Sequence, residues 1–135
     1  MMTTKAGKSS ICGQGTARGR LAVAIEYQAL ANSKSVASTD AARNAAVGNA
    51  VLAGIAAADA ICCVRLGECS SGSDHSDAVA LLAKVDKKLA QHLSTLIGHK
   101  PTSHYGDTFV GSETLKSCLR AMDHLVQAAV VIVSK

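Results

Sequence analysis

The stretch from Ala41 to Leu66, AARNAAVGNAVLAGIAAADAICCVRL, limits what this chain can become more than any other. Between Ala45 and Val64 only Asn49 and Asp59 are overtly polar, alanine dominates, and no proline interrupts. Alanine is the residue a helix interior accepts most readily. A helix apolar on nearly every side is either the buried centre of a bundle or a membrane span. Ala and Gly are weakly hydrophobic and Asp59 falls inside the window, so the span is the poorer reading and no membrane partner is expected. The expectation is a central helix in a compact soluble bundle.

Ala50, Gly54, Ala57 and Ile61 lie three or four apart and share a face. With so little side chain there, another helix can approach closely, from this chain or from a second copy. Val51, Ile55, Cys62 and Leu66 form the adjacent ridge, and Asp59 sits within it. A carboxylate taken out of water needs a hydrogen-bond or ion partner, a raised pKa or a place at a cleft. Asp59 is therefore a candidate site residue, with a structural ion pair as the alternative.

At 135 residues the chain makes one domain, read here as a helical unit over 16–135 behind a disordered tail over 1–15. The aromatics are Tyr27, Tyr105 and Phe109, so the core must be built from Ala, Leu, Val and Ile, which suits helix-on-helix packing. A net charge of +4 is compatible with an anionic partner such as RNA or a nucleotide without requiring one.

Five cysteines (Cys12, Cys62, Cys63, Cys69, Cys118) are odd in number, two are adjacent and two lie on the apolar helix. That pattern points to buried thiols in a reducing cytoplasm. Lys5 and Lys8 are not followed by the apolar run of a signal peptide. Cys63, Cys69 and His75 have no regular ligand spacing, so neither metal nor cofactor is expected.

The tail holds two motif fragments, Gly7-Lys8-Ser9 and Gly13-Gln14-Gly15 with Gly19. A phosphate loop or a dinucleotide loop follows a strand, and no strand pattern precedes either. A first helix is expected from a Thr16 N-cap to about Ala31, and a Ser-rich connection runs to Thr39. Thr39 or Asp40 caps the central helix and Gly67 ends it. Ser73 or Asp74 caps a third helix with the stripe Ala78, Leu82, Val85, Leu89, Leu93 and Leu96, interrupted around Val85–Lys88 and closed by Gly98. Ser112 caps a last helix with the stripe Leu115, Leu119, Met122, Leu125, Val126, Ala129 and Val133. Four or five helices, short links and no strand signal give an all-α, up-and-down bundle.

Chemistry concentrates in the irregular stretch HKPTSHYGDTFVG, residues 99–111. His104 titrates near neutral pH and can act as acid or base. Lys100 can stand against a phosphate, and Tyr105 adds a stacking surface and a hydroxyl. The alternative is a turn made by Pro101 and Gly106 that His104 and Tyr105 pin to the bundle. In an up-and-down bundle this stretch lies by Arg43-Asn44, at the opposite end from His75. His92 and His124 fall on solvated helix flanks.

The run AGIAAADAICCVRLG, the Ser-Gly-Ser-Asp-His turn, the AVALLAKV helix and His-Tyr-Gly before a final amphipathic helix together resemble the HEPN-domain family over roughly residues 41–129. The resemblance implies an all-α bundle that dimerises. It also implies either a metal-independent endoribonuclease or the helical partner of a nucleotidyltransferase in a toxin–antitoxin pair. It carries the family's histidine onto His104, followed by Tyr105. The family's arginine has no match: Lys100 stands nearest, with only three residues between it and His104, and is a point charge where arginine is a two-pronged donor. Asp59 would stand for a polar residue on the neighbouring helix.

Three readings result. The first is an RNA- or nucleotide-binding HEPN-like module without strong nuclease activity. The second is an active endoribonuclease using His104 with Lys100, Tyr105 and Asp59. The third is a structural homodimer or partner subunit.

Overall fold

The computed structural model describes residues 9–33, 39–71, 75–99 and 109–135. Within them the chain is mostly helical: α1 Gln14–Ala31, α2 Asp40–Leu66, α3 Ser76–Ala83, α4 Lys87–Ile97 and α5 Ser112–Ser134, with short strands β1 Ser9–Ile11 and β2 Glu68–Ser70.

The long apolar stretch is the centre of the fold. α2 packs most extensively on α1, then on α5, and also meets α3, α4 and β2. Its N-terminus is held by Thr39, whose side chain accepts from the Ala42 N–H at 2.9 Å. It ends at Gly67, whose φ of 75° is a left-handed conformation that glycine adopts without a Cβ penalty. α2 and α5 are long and apolar enough to cross a membrane, but 72% of the most apolar window of α2 is buried inside this chain.

The small-residue face works within the chain. Ala50, Gly54 and Ala57 are buried, and a Cβ at Gly54 would stand 2.4 Å from Leu96 Cδ1 and 3.3 Å from Leu125 Cδ1. α4 and α5 thus occupy the surface that a homodimer was expected to use. Ala17, Ala24 and Ala31, seven apart, are the buried residues of α1, so it too approaches through alanines. Its Val23, Ile25 and Leu30 are exposed.

The interruption in the third stripe is real. α3 stops at Ala83, and Asp86 caps α4 by accepting from the Leu89 N–H at 3.0 Å. Two expected caps differ. Thr16 lies inside α1, which begins after Gly13, whose carbonyl accepts the Ala17 N–H at 2.9 Å; the Gln14 side chain donates from Nε2 to the Val133 carbonyl at 2.9 Å. Ser112 is the first helical residue of α5, after Gly111. The proposed Ser73 or Asp74 cap lies outside the described residues; His75 holds the N-cap position of α3 without a side-chain cap bond.

The absence of strands was also mistaken. β1 and β2 pair antiparallel in the register Ser9↔Ser70, Ser10↔Cys69 and Ile11↔Glu68. Each has three residues, too few for alternation to register in a sequence. Residues 9–15, expected as tail, carry β1, Cys12 and the start of α1.

Candidate functional site

His104, Lys100 and Tyr105 lie outside the described residues, as do Pro101 and Gly106. The chain just after them is placed. Val110 is buried, its N–H donates to Asn44 Oδ1 at 2.9 Å, and its carbonyl accepts from Arg43 Nε at 3.0 Å. Arg43 also pairs with Asp40. The 109–111 end of the irregular stretch therefore docks at the start of α2, beside Arg43 and Asn44.

Asp59 stands about 22 Å further along α2, at 1.5 Å per residue. Its carboxylate is paired with Arg20 of α1, 3.1 Å from Nη2 and 3.2 Å from Nε. Burial pushes the Asp59 carboxyl above its ordinary value, while the charge and hydrogen bond of Arg20 pull it back only in part. This is the ion-pair alternative. Arg20 was missed because the pairing crosses two helices and leaves no local pattern.

The cysteine expectation is corrected. Cys12 and Cys63 form a disulfide across 51 residues, while Cys62, Cys69 and Cys118 are free thiols. The odd count hid a single bridge between the chain before α1 and the last turn of α2. Unpaired thiols were the ground for expecting a cytoplasmic setting, and the bridge removes that ground. Burial pushes the Cys62 thiol up to about 12, aided by the nearby negative charges of Asp59 and Glu68, and the Cys118 thiol up to about 11.

The best-formed concavity among those described runs between α4 and α5. His92 on α4 and His124 on α5 stack with ring centroids 4.4 Å apart and planes within 7°. They were read as separate solvated flank residues, yet they face each other across the groove. On one side a hollow of about 600 Å³ is lined by Leu89, Ala128, Val131 and Ile132, with Asp86, Lys88 and Gln127 at hand. On the other a smaller one of about 150 Å³ is lined by Thr95, Ser117 and Arg120. Both share the two histidines.

Amphipathicity explains the groove. α4 and α5 bury Leu93, Leu96, Met122 and Leu125 toward α2, so their flanking residues meet at the surface. The His92 imidazole is held below its ordinary pKa, first by burial, then by His124 and Lys88, with Asp86 opposing. It is thus neutral near pH 7, with a second imidazole against it and the cationic Lys88 and Arg120 each about one turn away along its helix. An anion beside the two rings would meet Lys88 from the larger hollow, where Asp86 opposes it, or Arg120 from the smaller one.

No family model matches the chain, and no curated protein or solved structure matches it either.

Proposed function

We propose that this chain is a HEPN-like helical module that binds the phosphate of a nucleotide or RNA in the groove between α4 and α5. The observation that carries this reading is the His92–His124 stack, set between Lys88 and Arg120 and continuous with a 600 Å³ hollow lined by apolar side chains. Phosphate suits the Arg120 side of the histidine pair, and a base suits the wall of Leu89, Val131 and Ile132 on the other side. The net charge of +4 adds long-range attraction.

The same geometry favours binding over cutting. Attack by a ribose 2′-OH on its neighbouring phosphate needs a base on one side of phosphorus and an acid on the other. Two rings stacked 4.4 Å apart leave no room for a phosphate between them. His104 remains the resemblance's candidate for the nuclease alternative. A homodimer would have to use a face other than the filled Ala50–Gly54–Ala57 surface.

The test is fluorescence anisotropy of labelled mixed-sequence RNA, with EDTA present and the RNA recovered afterwards. Binding that weakens steeply with salt, falls at least about tenfold in Arg120→Glu and leaves the RNA intact supports the reading. Equal affinity at low and high salt, or an unaffected Arg120→Glu variant, counts against it. Cleavage lost in His104→Ala would select the nuclease.

A further inference from the structure

The described residues place a third cysteine beside the disulfide. The Sγ atoms of Cys12, Cys63 and Cys69 all lie within 4.8 Å of one another, though they come from three separate segments. Cys12 precedes α1, Cys63 is in the last turn of α2, and Cys69 is the central residue of β2.

From this triangle we propose that, once the Cys12–Cys63 bond is reduced, the chain holds a thiophilic d10 cation of the zinc class on the thiolates of Cys12, Cys63 and Cys69. Soft sulfur ligands select such cations. Three protein ligands and one open position also make a recognised zinc arrangement.

Backbone hydrogen bonds, besides the disulfide, tie together the segments that carry the three sulfurs. Gly67, in its left-handed conformation, donates its N–H to the Cys63 carbonyl at 3.2 Å. The Gly67 carbonyl accepts the Cys12 N–H at 2.9 Å. Cys69 sits opposite Ser10 in the β1–β2 ladder. One glycine thus ties two of the cysteines, and the ribbon ties the third. Reduction removes a covalent bond from a site whose frame is hydrogen-bonded.

The geometry fits coordination better than disulfide exchange. A thiolate attacking a disulfide approaches in line with the S–S bond, which carries it away from the second sulfur. Cys69 Sγ is instead near both sulfurs, as a shared cation requires.

The chemistry balances in two steps. A dithiol or phosphine reductant supplies two electrons, and two protons are taken up as the S–S bond breaks into two thiols. A divalent cation then displaces three protons and leaves three thiolates around it, with net charge −1. Oxidation closes the site by tying up two of its three ligands, so the bridge acts as a redox gate on cation binding.

The test uses the full chain, reduced with a phosphine, desalted without oxygen and titrated with Zn²⁺ or with Cd²⁺, whose thiolate complexes absorb in the ultraviolet. One equivalent should bind, and the loaded chain should shield Cys12, Cys63 and Cys69 from alkylation when the modified residues are mapped by mass. The oxidised chain should bind at least about 100-fold more weakly, as should Cys69→Ser, since losing even an outer-shell partner costs about 10–100-fold. Cys118→Ser, remote on α5, should bind as the parent does. Unchanged alkylation of the three cysteines after loading would overturn the proposal without relying on any variant. So would tight binding by the oxidised chain.

Discussion

The backbone N–H of Val110 donates to the Oδ1 of Asn44 at 2.9 Å, joining the chain that enters α5 to the first turns of α2. Asn44 is only 8% exposed and is the one buried polar residue among those described. It anchors the far side of the segment that carries His104.

Asn44→Ala should therefore cost about 1–3 kcal/mol, because the buried Val110 N–H loses its acceptor. Denaturant unfolding measures the loss. The same variant should raise amide exchange at Val110 well before the core of α2 exchanges.

Gly54→Ala should destabilise the fold although alanine is the better helix former by about 1 kcal/mol. The added methyl meets the fully buried Leu96 and then Leu125, and overpacking of this kind costs about 1–3 kcal/mol. Gly54→Leu should be worse, with no change in oligomeric state on a sizing column, because that face is internal. A Leu96→Ala substitution that costs less in the Gly54→Ala background than in the parent would locate the clash.

Asp59 and Arg20 should behave asymmetrically. The Asp59 carboxyl is raised in the folded chain, so ionising it works against folding as pH rises through its ordinary value of 3.8 and above. Asp59→Asn should thus gain stability relative to the parent as pH rises from the ordinary value of 3.8 toward the higher folded one. Arg20→Met strips the partner from a largely buried carboxylate and should cost about 1–3 kcal/mol at neutral pH. That cost should shrink in acid, where Asp59 is protonated. Thermal melts at both pH values check the two signs.

His92 gives the opposite pH window. Its folded pKa is depressed, so between the ordinary histidine value, about 6.5, and its lower folded value the unfolded chain binds a proton that the folded chain does not. Stability should fall as pH drops through that window. His92→Gln should flatten the fall, His124→Gln should lessen it by removing the facing imidazole, and Asp86→Asn should steepen it.

Much of the architecture was legible because it is written in local chemistry. Thr39 and Gly67 bound α2, and the break in the stripe around Val85–Lys88 marks the step from α3 to α4, since caps and breaks involve residues only a few positions apart. The core stripes of α4 and α5 followed from helical spacing. What escaped joins distant segments. Cys12 and Cys63 meet only after α1 and α2 have packed, and β1 is too short and polar to signal a strand. Arg20 looks like any surface arginine until α1 sets it over Asp59. His92 and His124 each read as wet on their own helices, and only the packing of α4 on α5 turns them into a pair.

The most direct measurement of the central claim is an NMR titration of the five histidine imidazoles with a nucleotide, repeated across pH. The account predicts that the His92 and His124 resonances shift together on binding and that the depressed His92 pKa rises, because a bound phosphate favours the imidazolium. Shifts confined to His75, His99 or His104, with His92 and His124 unmoved, would contradict it.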